Sequence, residues 1–156
     1  MKNKTLDYYN HHAQSFISTT VSVNFKPVQE EMCRYASEFT GIQVQNMLFQ
    51  DLDAQNQYDG IWACSSILHL PKIELRVVLS KMVDALRDDG IIYTSFKYGA
   101  FEDERNGRYF TDFTMETFTD FIKDLEKIRM ETYWITTDVR PGRGEEKWLN
   151  VMLRKH

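Results

Sequence analysis

No glycine precedes Gly41, the first of only seven in 156 residues. The N-terminal quarter therefore cannot hold a glycine-rich turn between a strand and a helix, the device that lets a phosphate or a nucleotide approach the backbone. The one Gly-x-Gly, Gly142 to Gly144, lies in the late segment RPGRGEEK, away from any strand-to-helix junction. A chain of this length supports one ordinary domain that buries roughly 70% of its unfolded surface. The expectation is a single domain over 1–156, with helices over 1–40 and a sheet with helices over 42–156.

Charge and cysteine usage remove several function classes. The net charge of -4 argues against a broad nucleic-acid or membrane-surface footprint, because phosphate binding needs a basic face. Cys33 and Cys64 stand apart with no CxxC spacing, so neither a disulfide framework nor a structural zinc site is expected. His11 and His12 are adjacent; on a helix they diverge by about 100°, which speaks against a joint metal site. The segment MKNKTLDYYNHHAQ lacks an apolar signal core, and no stretch approaches a membrane span. The reading is cytoplasmic, with no metal, no membrane and no nucleic acid.

Hydrophobic periodicity orders the elements. Tyr8, Tyr9, Ala13, Phe16 and Ile17 have helical spacing over Thr5 to Ser18, and Thr19 to Lys26 reads as irregular. Pro27 opens a second helix with Val28, Met32, Tyr35, Ala36 and Phe39 on one face and Gly41 as its stop. The alternation in IQVQNMLF, residues 42–49, predicts a strand, and the run Ile61 to Cys64 predicts one buried on both faces, with Cys64 an inert small hydrophobe. Pro71 starts a helix that Gly90 closes; IIYTSFKYG follows as a strand, EDERNGR as a solvated loop, and Thr114 to Lys127 as a helix. ETYWITTDV and KWLNVMLRK read as two strands around RPGRGEEK, where Arg140 and Arg143 either bind an anion or pair with Glu145 and Glu146. The order implies an α/β sheet with a reversed last strand, and ligands in such sheets sit beyond the carboxyl ends of the strands.

With these residues in view, FQDLD, YDGIWACSSILHLPKIEL, LRDDGIIYTSFKYG, RNGRYFTDFT and DVRPGRGEEKWLNVMLRK together resemble the class I S-adenosylmethionine-dependent methyltransferases, in particular their small-molecule, tellurite-resistance branch. The resemblance implies a Rossmann-like fold: a mostly parallel sheet of about five strands with an antiparallel C-terminal hairpin and helices on both faces. It also implies cofactor contacts from Asp51 near the adenine and from Ser65 and Ser66 near the methyl-transfer end. The family carries a glycine-loop β-α-β unit ahead of the segment matching EEMCRYASEFTG. Here Phe25, Lys26 and Pro27 run straight into that helix, so a unit of roughly 30 residues has no counterpart and the fold is expected to be truncated.

Two expectations follow. Without the pairing partner that the family gives it, the strand at Ile61 either joins Val44 to Phe49 or presents a bare edge, so a homodimer through sheet edges or exchanged N-terminal helices is expected. The remaining polar set suits a small anionic metabolite, and no cofactor is expected unless the family activity survives with S-adenosylmethionine. His69, Lys97 and Tyr98 are the candidates for acid-base chemistry; Arg105, Arg108, Tyr109, Arg140, Arg143 and Trp148 are the candidates for substrate binding, with Asp138 among them. Three function classes stay open: an isomerase or tautomerase-type enzyme on an oxo-acid, a residual methyltransferase with a weakened or dimer-completed cofactor site, and a non-catalytic partner of an intact methyltransferase.

Overall fold

A computed structural model describes residues 26–156. The expected first helix, His11, His12 and the irregular stretch from Thr19 lie outside the described residues. The chain divides into two compact units, Met1–Asn46 and Met47–His156.

In the first unit, helix α1 spans Lys26–Thr40, as the Pro27 start predicts. The Gly41 N–H donates to the Ser37 carbonyl at 2.9 Å. None of its residues is buried, and Phe39 is 93% exposed, so the apolar stripe expected to face a core does not. The strand expected over 42–49 is absent: residues 43–48 have no regular structure and Phe49–Asp51 form one 3-10 turn. Alternation makes a strand only where a neighbouring strand accepts its backbone bonds. Here the Val44 N–H goes instead to the Ser37 hydroxyl at 2.8 Å.

The second unit is built on a four-stranded sheet. Strand β1 (Tyr58–Ala63) leads through a 3-10 turn, Ile67–His69, and helix α2 (Lys72–Ala85) to strand β2 (Leu86–Lys97), which lies parallel to it. A two-stranded hairpin follows, β3 (Glu102–Arg105) and β4 (Arg108–Thr111), then helix α3 (Met115–Ile122). Strands β5 (Ile128–Thr137) and β6 (Lys147–Lys155) pair antiparallel, and β6 also pairs antiparallel with β2, giving the order β1-β2-β6-β5. The reversed last strand is present. The main sheet has four strands rather than five, and one of its three pairings is parallel.

Three boundaries differ from expectation for local reasons. Helix α2 stops at Ala85 rather than Gly90 because Leu86 already takes extended backbone, φ -74° and ψ 146°, while its N–H still donates to the Met82 and Val83 carbonyls. The polar segment EDERNGR is not a loop but a hairpin, with Asn106 and Gly107 at φ +54° and +74°, the backbone of a type I′ turn. Helix α3 starts where expected, capped by the Thr114 hydroxyl that accepts the Thr117 N–H at 3.2 Å, but ends at Ile122.

One apolar cluster joins the helices to one face of the sheet. Leu75, Val78, Leu79, Met82 and Val83 of α2 and Phe118, Phe121 and Ile122 of α3 pack with Ile92, Phe96, Leu149 and Leu153. Phe96, Phe113 and Phe118 form its aromatic centre at centroid separations of 5.0–5.4 Å. Strand alternation then sends Tyr93, Ser95 and Lys97 of β2, with Trp148 and Asn150 of β6, to the opposite face. Among the described residues of this unit, both helices cover the same face.

Candidate functional site

The face opposite the helices carries a cleft of about 490 Å³ at the carboxyl ends of β1 and β2. Strand β1 delivers Cys64 and Ser65 to it. Ser65 holds φ +50°, a conformation that costs a non-glycine residue energy, while its N–H donates to the Ser95 hydroxyl at 2.9 Å. Cys64 lines the cleft and is exposed, not buried as its place after Ile61 predicts, because the strand ends one residue earlier.

His69 closes the 3-10 turn and reaches the same cleft. Its Nδ1 lies 2.7 Å from the main-chain oxygen of Tyr109. A carbonyl oxygen only accepts, so Nδ1 carries a proton, and in the neutral imidazole it is Nε2 that holds the lone pair. The Phe110 ring stands edge-on to the imidazole at 4.6 Å. Tyr109 thus serves His69 through its backbone. Its own hydroxyl is raised above the ordinary tyrosine range by burial and by the charges of Glu102 and Asp103.

Lys97 is a matched cation. It is buried, pairs with Glu146 and Asp138, and stands 4.3 Å over the Trp148 ring. Asp138 also accepts from Arg140 Nε at 2.8 Å, from the Arg140 backbone at 3.0 Å and from Trp148 Nε1 at 3.3 Å. The Arg140 guanidinium, above all, holds the Asp138 carboxyl far below the usual carboxylate range, and Lys97 lowers Glu146 in the same way. This carboxylate centre locks Lys97, Arg140 and Trp148 into one wall.

The other arginines differ in how free they are. Arg105 pairs with Asp112 at 2.7 Å. Arg143 Nε stands 3.8 Å from Glu146, at the loose limit of an ion pair. Arg108 lines the cleft, is exposed, and makes no ion pair with a described residue; its nearest recorded partner is the Phe110 ring, 5.7 Å from the guanidinium carbon. Arg105 and Tyr98 line an adjacent cleft of about 700 Å³ that shares Lys97, Arg108, Phe110 and Arg143 with the first.

The three residues tied by resemblance to S-adenosylmethionine are not brought together. Ser65 lines the cleft. Asp51 accepts the Leu48 N–H at 3.1 Å and lines neither cleft. Ser66 lines a separate apolar groove of about 260 Å³ beside Ile61 and Trp62. No group of three or more His, Cys, Asp or Glu among the described residues is placed to hold a metal ion, and no helix among them is long and apolar enough to cross a membrane.

Residue-by-residue reading missed Tyr93, Ser95 and Asn150. The Tyr93 hydroxyl donates to Asn150 Oδ1 at 2.7 Å, its ring stacks on Trp62 at 4.1 Å, and burial raises its hydroxyl above the ordinary range. The signal was present in one strand: Tyr93, Ser95 and Lys97 at every second position of IIYTSFK mark one face.

No family model matches the sequence, and no curated protein sequence matches it. Solved structures do. The Burkholderia thailandensis 1,6-didemethyltoxoflavin-N1-methyltransferase, solved with its substrate and S-adenosylhomocysteine bound, superposes with a TM-score of 0.67 at 16% identity over 78% of this chain and 55% of its own. A putative sarcosine dimethylglycine methyltransferase from Galdieria sulphuraria gives 0.63 at 16% identity, over 85% of this chain and 68% of its own. The (4+2)-cyclase SpnF gives 0.58 at 10% identity, over 78% and 60%. The chain spans about half to two thirds of the length of these proteins. Its parallel β-α-β start and its inserted antiparallel last strand are those of the class I S-adenosylmethionine-dependent methyltransferase fold.

Proposed function

We propose that the chain binds a small organic carboxylate in the His69 cleft, and that His69 moves a proton on an oxo-acid held there. The observation that carries this reading is the pairing of His69 with Arg108. One offers an imidazole whose neutral form, with Nδ1–H held by the Tyr109 carbonyl, leaves Nε2 as the base, the other a guanidinium with no carboxylate partner among the described residues, and both line one cleft. A guanidinium holds a carboxylate through paired N–H donors. Nε2 then takes a proton from the carbon beside the keto group; the C–H pair becomes the enolate double bond, and the proton returns to the neighbouring carbon or oxygen. No atom is gained or lost, as an isomerase or tautomerase requires. SpnF, a (4+2)-cyclase and a neighbour in fold, supports reading this architecture for chemistry other than methyl transfer.

The fold also supports a second reading, residual methyl transfer, since a neighbour binds S-adenosylhomocysteine. In that case Ser65, which lines the cleft, would meet the cofactor, whose methyl group would be the transferred one. A non-catalytic partnership with an intact methyltransferase is the third. One experiment separates them: incubate the chain in D2O with a panel of di- and oxo-carboxylates, follow carbon-bound deuterium by NMR, and titrate S-adenosylmethionine by calorimetry. Exchange that disappears in His69→Gln supports proton transfer. Cofactor binding without exchange supports methyl transfer, and neither signal supports the partner reading.

A further inference from the structure

Arg108 and Arg143 line both the His69 cleft and its neighbour of about 700 Å³. Together the two clefts are lined by six Lys or Arg side chains and four Asp or Glu, a local surplus of positive charge in a chain whose net charge is -4. Three of the six cations are committed to buried acids. Lys97 and Arg140 share Asp138, and Lys97 also holds Glu146. Arg105 holds Asp112, which is 5% exposed and whose Oδ1 already lacks a donor. Withdrawing a cation from a buried carboxylate strands its charge, so these three are fixed parts of the wall. Glu145 and Lys147, both exposed, offset each other in charge.

The surplus is therefore Arg108 and Arg143, and both are exposed. Arg143 Nε stands 3.8 Å from Glu146, an acid that keeps Lys97 when Arg143 turns away. Residues 1–25 carry one acid, Asp7, too few to neutralise two guanidiniums. We infer, on the basis of the oxo-acid reading above, that the ligand of the His69 cleft carries two oxyanions: a carboxylate met by Arg108, and a second carboxylate or phosphoryl group met by Arg143. Each guanidinium takes one oxyanion through paired N–H donors. Arg108 opens strand β4, whereas Arg143 lies between β5 and β6, so the two anchors come from separate parts of the chain. Held at both ends, the ligand presents one carbon to His69 instead of turning about a single carboxylate.

Calorimetry of the full chain with pyruvate, oxaloacetate, α-ketoglutarate and phosphonopyruvate tests this. The ligands with two oxyanions are expected to bind about tenfold tighter than pyruvate or more, the scale of one charge-assisted pair. The tighter of oxaloacetate and phosphonopyruvate identifies the second group as carboxylate or phosphoryl. Arg143→Gln is expected to erase the preference with the melting temperature unchanged, because the side chain is exposed, and Arg108→Ala to weaken all four ligands together. Pyruvate binding as tightly as the others, or a preference that survives Arg143→Gln, overturns the second anchor and leaves the reading of His69 and Arg108 standing. Failure of all four to bind overturns both.

Discussion

The Nδ1–H of His69 donates to the Tyr109 carbonyl across 2.7 Å. This bond ties the turn after β1 to the hairpin strand β4, and it also fixes the imidazole tautomer that leaves Nε2 basic. Structure and chemistry are thereby coupled in one residue, and they can be separated by substitution. His69→Ala removes a hydrogen bond worth about 1 kcal/mol and abolishes proton exchange on the substrate. His69→Asn, whose amide N–H2 can still donate to Tyr109, is expected to keep most of the stability and none of the exchange. Paired melting curves and exchange rates check both.

Arg108 is expected to act on binding alone. Its guanidinium is exposed and pairs with no described acid, so Arg108→Ala should leave the melting temperature unchanged. Losing a charged hydrogen-bond pair of about 1.5–3 kcal/mol predicts a fall in carboxylate affinity of roughly 10- to 150-fold by calorimetry. Equal affinity in the variant sinks the assignment.

The hairpin turn offers a test at a distance from the cleft. Gly107 holds φ +74° with nothing within 4 Å of a Cβ placed there, so Gly107→Ala costs conformational energy of about 1–2 kcal/mol and no steric clash. Because the turn sets where Arg108 emerges, carboxylate affinity is expected to fall even though no ligand-facing side chain changes.

Acid stability should report on Asp138. Its folded carboxyl sits far below the usual range, chiefly through Arg140, and therefore below its unfolded value of about 3.9. A depressed acid stabilises the fold fully above the unfolded pKa and loses that contribution as pH falls through and below it. Unfolding free energy measured by urea titration is expected to drop below about pH 4. Asp138→Asn should flatten that limb and lower stability at pH 7.

In the core, Phe118 is fully buried and touches Phe96, Phe113 and Phe121. Phe118→Ala should cost about 3–5 kcal/mol, seen as a reduced urea midpoint with the slope preserved.

The elements with strong helical periodicity were legible in the sequence. Leu75 to Val83 announced helix α2, and Thr114 the start of its successor. What failed depended on partners that local pattern does not encode. IQVQNMLF alternates like a strand, yet its backbone donor at Val44 is taken by a serine hydroxyl. The β3-β4 hairpin was written in Asn106-Gly107 and hidden by the charges around it. In the site, the sequence left an anion and the neighbouring glutamates as alternative partners for Arg140 and Arg143. Only the fold shows that Asp138 and Glu146 occupy Lys97 and Arg140, leaving Arg108 beside His69.

Strand β6 lies between β2 and β5, so those two share no backbone pairing and are joined in the sheet through residues Lys147–Lys155. During synthesis β5 emerges with no sheet edge to join, and β2 with its β6-side ladder open, until this stretch has left the ribosome. Joining β5 to the β1-β2 pair is therefore a late step that waits on β6. Mutations that slow docking of β6, such as a charge at buried Val151, should act first on folding yield and only then on the stability of whatever has folded.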